Sequence, residues 1–141
     1  MTKALKSSGI AIAALLMLFA ASSRGAHAQS FSGTTLTVTV TSDDVSSLPA
    51  DTQLTLIGVW TIAFADNGGY AVGKDNTVTA AGLWTLAGNE LTLNDTEGPF
   101  TCSGPGKYAI STDGSTYAFT AISDDCDGRM FLLTVHRFSP Q

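Results

Sequence analysis

The sequence predicts an all-β domain: an eight-stranded antiparallel up-and-down β-barrel carrying one disulfide. Three observations predict it. Apolar residues alternate with threonine at every second position through most of the chain. Turn signals separate eight such runs, and no segment sustains a helical period. The only two cysteines, Cys102 and Cys126, fall in connections that an eight-strand meander brings to the same end.

Residues 1–28 read as a removable export signal. Lys3 and Lys6 make a positive start, 10–21 is an almost unbroken apolar run, and Ala26-His27-Ala28 is a small-x-small cleavage site. The apolar run is 12 residues, short of the ~20 that a membrane span needs. No Cys stands at the cleavage site to take a lipid, and no twin-arginine pair precedes the run. The expectation is a secreted or periplasmic protein whose mature part, 29–141, is a single domain.

Charge sharpens on that division. The whole chain carries 7 basic and 12 acidic residues, a net of −5. Lys3, Lys6 and Arg24 leave with the signal, so the mature part has four bases against twelve acids, a net of −8. Such a chain is a poor partner for a nucleic-acid backbone. Asp43, Asp44, Asp51, Asp75, Asp95, Glu97, Asp124, Asp125 and Asp127 all map to one end of the expected barrel and read as solvated acidic loops.

The expected strands follow in order: 34–41, 54–65, 69–74, 77–86, 89–94, 106–111, 115–122 and 129–138. Leu36, Val38 and Val40 set the inward face of the first. Leu54, Leu56, Gly58, Trp60, Ile62 and Phe64 set that of the second, and Tyr70 and Val72 that of the third. Val78, Ala80, Gly82, Trp84 and Leu86 continue the pattern, then Leu91 and Leu93, Tyr108 and Ile110, Tyr117 and Phe119, and finally Phe131, Leu133 and Val135. One short helix is expected at 42–48, capped by Ser42 and stopped by Pro49.

Asp66-Asn67-Gly68, Ala87-Gly88 and Asp113-Gly114 are tight hairpin signals. They follow strands two, four and six, so they gather at one end of an up-and-down meander. The other connections gather at the opposite end, Cys102 and Cys126 among them. In an oxidising compartment that pair is expected to form a disulfide, closing a loop of about 25 residues and stabilising by about 3.5 kcal/mol in the loop-entropy model. Closure of the sheet removes its exposed edges, although the same alternation permits a two-layer sandwich. With the apolar face inward, an outer-membrane barrel is excluded.

Gly58 and Trp60 make a Gly-x-Trp step in an early strand. With eight short strands and an export signal, the chain resembles the calycin group, the lipocalins and avidin-like barrels, and the small secreted lipocalin-like domains of bacteria. The resemblance implies that Trp60 plugs the barrel floor, that Gly58 is structural, and that Arg129 packs over Trp60 as a cation. It also implies that the disulfide-bonded end is the floor and that any pocket opens between the tight hairpins.

Eight of the eleven aromatics of the mature part fall on the inward register. Trp60, Tyr70, Trp84, Tyr108, Tyr117 and Phe119 are the candidate ligand-binding set. They either line a cavity for a small apolar or aromatic ligand or simply fill the barrel. A secreted interaction module is the alternative. The 83–93 segment is similar in flavour to small periplasmic barrel inhibitors of metalloproteases, in which an N-terminal tail, here 29–33, enters the protease cleft. No metal site, cofactor or catalytic set is expected. The one mature histidine, His136, faces outward, and Asp125-Cys126-Asp127-Gly128 lacks the closing Glu of a calcium loop.

Overall fold

The computed structural model describes residues 32–141. The expected signal peptide lies outside them. Eight antiparallel strands form one curled sheet, a half-barrel in the order β7-β6-β5-β4-β3-β2-β1-β8. The strands are β1 (Thr35–Val40), β2 (Gly58–Phe64), β3 (Gly69–Lys74), β4 (Thr77–Ala87), β5 (Glu90–Glu97), β6 (Gly106–Thr112), β7 (Tyr117–Ser123) and β8 (Ser139–Pro140). Two helices, α1 (Ala50–Leu56) and α2 (Asp127–Thr134), interrupt the meander. Among the described residues, no helix is long and apolar enough to cross a membrane.

Alternation sets the core. Leu36, Val38, Val40, Trp60, Ile62, Phe64, Tyr70, Leu91, Leu93, Tyr108 and Phe119 are buried, while the threonines between them face outward or lie half-buried. β-Branched threonine suits such a pleated, half-solvated face. The tight turns join β2 to β3, β4 to β5 and β6 to β7, and the longer connections meet at the other end. Cys102 and Cys126 are disulfide-bonded there, with Cα atoms 5.9 Å apart.

The structure corrects the eighth strand. Residues 127–134 are helical, and strand pairing survives only at Ser139–Pro140. Period two selects Phe131, Leu133 and Val135 as the inward set, but a helical period selects Arg129, Leu132 and Leu133, and the last two of these are buried. Arg, Met and Leu favour a helix, and Asp127 in the first turn complements the helix dipole. Phe138, expected outward, is fully buried. It bridges to Tyr117 of β7 through two backbone hydrogen bonds of 2.9 and 2.8 Å, immediately before Ser139 and Pro140 pair with β1. The two ends of the sheet therefore meet through this one short segment.

Pro49 also acts opposite to expectation. Residues 42–48 are turns, with the Asp44 carboxylate accepting the Thr41 backbone N–H and hydroxyl, each at 2.8 Å. Those two bonds and His136 at 2.8 Å bring the Asp44 carboxyl down to about 2. The helix starts after Pro49, whose carbonyl accepts the Gln53 N–H. A proline has a fixed φ and no N–H to satisfy, so it begins a helix more readily than it continues one. Leu54 consequently lies on α1 and is 76% exposed, not on the inward face of a strand. Gly58 opens β2 at φ +146°, and a Cβ there would press on the Asp75 carboxylate and the Lys74 side chain.

Two bulges re-aim the middle of the sheet. Register shifts between Val72 and Gly73 opposite β4, so Thr79 turns inward and Val78 outward. A one-residue slip exchanges the two faces of a strand. Thr79 offsets its burial by donating to the Val72 carbonyl at 3.1 Å. The second shift lies between Ala81 and Gly82, opposite β5. A Cβ at Gly82 would sit 1.9 Å from the Asn94 carbonyl oxygen, a backbone atom that cannot swing away. Gly82→Ala is expected to destabilise by about 1–3 kcal/mol, read as a lowered denaturation midpoint in urea with an unchanged slope.

Candidate functional site

The disulfide-bonded end carries a cavity of about 350 Å³, within the range of small-molecule pockets. α1 supplies Thr52, Thr55 and Leu56 to one wall, with Asp51 at its margin. Trp60, Val72, Thr79 and Ala80 come from the sheet. The loop after β5 supplies Phe100 and Cys102, and the start of α2 supplies Cys126, Gly128, Arg129 and Leu132. The Thr79 wall position exists only because of the β4 bulge. Trp60 is fixed by its indole N–H, which donates to the Leu56 carbonyl at 2.7 Å.

Beside the cavity lies a buried ionic network. The Asp95, Asp124 and Arg129 side chains are 3%, 0% and 8% exposed. Arg129 Nε and Nη2 donate to the two oxygens of Asp124 at 2.7 and 2.8 Å, and Nη1 lies 3.4 Å from Asp95 Oδ1. Nη2 also donates to the Gly104 carbonyl at 3.1 Å. The Tyr70 hydroxyl donates to Asp95 and the Tyr108 hydroxyl to Asp124. Both disulfide residues join in: Cys102 N–H donates to Asp95 Oδ2 at 2.8 Å and Cys126 N–H to Asp124 Oδ1 at 2.9 Å. Charge-assisted, bidentate contacts of this kind are the strong ones.

The network fixes its own protonation. Burial pushes the Asp124 carboxyl upward, but the hydrogen bonds from Arg129, Tyr108 and Cys126 outweigh it and hold it below the ordinary carboxylate value. Burial likewise works against the Arg129 charge, and Asp124 and Asp95 more than restore it. Desolvation, with the Asp124 carboxylate as acceptor, holds the Tyr108 phenol proton well above the usual tyrosine value. Asp124 and Arg129 thus remain ionised as a buried pair, and the Asp95 side chain lies 3.4 Å from Arg129 Nη1.

Of the candidate ligand-binding aromatics, only Trp60 lines the cavity. Tyr70, Tyr108 and Phe119 are buried in the core, and Trp84 and Tyr117 pack against it half-buried. Phe64 stacks edge-on with Trp84 at 5.5 Å, and Phe119 with Phe138 at 5.2 Å. The Phe64, Trp84, Phe119 and Phe138 rings fill the hairpin end of the interior, and the cavity opens at the disulfide end and not between the tight hairpins. Arg129 is engaged with carboxylates, and the cation over the Trp60 ring is Lys74, 6.0 Å from its centroid. Lys74 Nζ also donates to the Leu54 and Thr55 carbonyls that end α1. Among the described residues no group of three or more His, Cys, Asp or Glu could hold a metal ion.

Asp95 and Asp124 are the residues that sequence reasoning missed, since it placed them in solvated loops. Asp95 had a usable signal. It continues the inward row of Leu91 and Leu93 by period two, one step beyond the last β5–β6 pair at Leu93 and Gly106. Asp124 follows the end of β7 and carried no such signal. Comparison with family models, with curated proteins and with solved structures finds no match to this chain.

Proposed function

We propose that this is an exported β-barrel-like protein that binds a small, mainly apolar ligand in the cavity at its disulfide-bonded end. The cavity itself carries the reading. Its walls are largely aliphatic and aromatic, from Leu56, Trp60, Val72, Ala80, Phe100 and Leu132, and a few charged groups stand among them. That mixture of apolar wall and sparse polar anchors suits a ligand held by area and oriented by charge. Export rests on residues 1–28, and the calycin-like character on the Gly58-x-Trp60 step and the strand number.

Tryptophan emission separates the two halves of the interior. Trp60 lines the cavity, and Trp84 donates from the hairpin end to the Ala65 carbonyl at 3.1 Å. In a Trp84→Phe protein, titration with naphthalene- and indole-based compounds is expected to shift or quench the remaining Trp60 emission. Trp60→Phe is expected to abolish the response. Native mass spectrometry of protein from its own host should carry a small bound mass. A silent titration together with a ligand-free spectrum would sink the reading.

A protein partner is the second reading. Large apolar side chains stand exposed on the same pole: Leu54, Val59, Val78, Phe100 and Ile122. The inhibitor-like tail at 29–33 lies mostly outside the described residues. Its last two residues are tied to the β2–β3 hairpin, by Ser32 to Asp66 at 2.7 Å and by Gly33 N–H to the Phe64 carbonyl at 2.7 Å. Cleavage assays against a panel of metalloproteases test it. Equal inhibition without the tail would count against that mechanism.

A further inference from the structure

We infer that the cavity selects a cation: a ligand with an apolar body and one ammonium or similar positive group. The inference rests on the ligand-binding reading above and specifies its chemical class.

The charge around the cavity is unbalanced. Asp95 and Arg129 both line it, but Arg129 spends Nε and Nη2 on Asp124, so the buried Asp95–Arg129–Asp124 set counts two acidic side chains against one basic one, a formal −1. Asp51 adds a second negative charge at the margin. The basic side chains of this pole offer little to an incoming anion. Lys74 holds the carbonyls at the end of α1, Lys107 faces Glu90 at 3.8 Å, and Arg129 is buried between its two carboxylates.

Burial makes that imbalance matter. A charge beside low-dielectric walls is weakly screened, so its field reaches across a small cavity. A buried net charge is costly unless a counter-charge approaches it. Asp95 has room for one. A carboxylate offers about four lone-pair sites. The Tyr70 hydroxyl and Arg129 Nη1 stand at Oδ1, and the Cys102 N–H occupies one site on Oδ2. An ammonium placed near Asp95 and Asp51 gains attraction from both, while its apolar body meets Trp60, Val72 and Leu132. A carboxylate on the same body would face repulsion from the excess negative charge, and the one donor of Arg129 without a hydrogen-bond partner, Nη1, lies buried 3.4 Å from Asp95 Oδ1.

Calorimetric titration of the protein with three matched probes tests this: 2-naphthylmethylammonium, 2-naphthylmethanol and 2-naphthoate. The ammonium is expected to bind about tenfold tighter than the alcohol, with the carboxylate weakest. Asp51→Asn keeps the acceptor for Thr52 N–H and should narrow the ammonium-to-carboxylate ratio about threefold. Equal affinities, or a carboxylate that binds tightest, would overturn the cation inference and leave ligand binding standing. Failure of all three probes would overturn both.

Discussion

Arg129→Met is expected to be the most damaging single substitution in this protein. It leaves the Asp95 and Asp124 side chains, 3% and 0% exposed, without the cation they share. Removing one partner of a buried ion pair costs roughly 3–5 kcal/mol, because the remaining charge is stranded. In a domain of about this size that corresponds to a melting temperature lower by roughly 15–25 °C. Circular dichroism on heating measures it. Arg129→Lys restores the charge but not the fork that meets both oxygens of Asp124, so it should fall between the two. Adding Asp95→Asn and Asp124→Asn to Arg129→Met should recover part of the loss, because neutral amides need no counter-ion. A melting temperature within a few degrees of wild type for Arg129→Met would show the network to be ornamental.

The pH dependence has a definite sign. Asp124 has a lowered pKa in the folded protein, so its contribution is complete above the unfolded carboxylate value of about 4 and is lost as pH falls further. Tyr108 has a raised pKa, so its contribution is complete below about pH 10 and is lost as pH rises through the folded value. In Arg129→Met the largest contribution that offsets burial at Asp124 is gone, and its balance is expected to reverse. Burial then dominates, and the cost of the stranded charge is greatest at neutral pH and relieved on acidification. The stability gap between wild type and variant is therefore expected to narrow between pH 7 and pH 4. A gap that widens would mean that Asp124 is not the group left stranded.

What the sequence revealed, and what it hid, follows from which interactions are periodic. Leu36, Ile62, Leu91 and Phe119 were legible because a sheet with one dry face repeats every two residues. The common end of Cys102 and Cys126 was legible because an up-and-down meander fixes which loops are neighbours. The helix at Asp127–Thr134 was not. Over eight residues, Phe131, Leu132, Leu133 and Val135 satisfy either period, and the choice is made by Arg129, which must reach two aspartates more than 30 and only five residues away. The cavity was hidden for the same reason. It is built where α1 and α2 replace expected strand, and where a bulge exchanges Val78 for Thr79. Composition suggested an acidic pole of nine solvated carboxylates. Two of them instead form the dry part of the site, because tyrosine hydroxyls, backbone N–H groups and one guanidinium satisfy them.

Removing the disulfide is the second large effect, and its coupling to Arg129 says how the site is held. With a sequence separation of 24, Cys102→Ser with Cys126→Ser is expected to cost about 3.5 kcal/mol, mainly by freeing the unfolded chain. Were that the whole effect, it would add to the loss in Arg129→Met, since one acts on the unfolded state and the other on the folded. The geometry predicts otherwise. The Cys102 and Cys126 N–H groups hold the same two carboxylates that Arg129 bridges, and Arg129 also grips the Gly104 carbonyl in the Cys102 loop. Arg129 and the disulfide are thus parallel fastenings between the loop after β5 and the start of α2. Once one has gone and those segments have loosened, the other has less folded structure to lose. The combined variant should be less destabilised than the sum by about 1 kcal/mol, within the coupling seen between contacting groups. Urea denaturation of the four proteins in the cycle measures it. Strict additivity would confine the disulfide to chain entropy and separate it from the cavity, whereas the predicted shortfall makes it part of the wall that shapes the site.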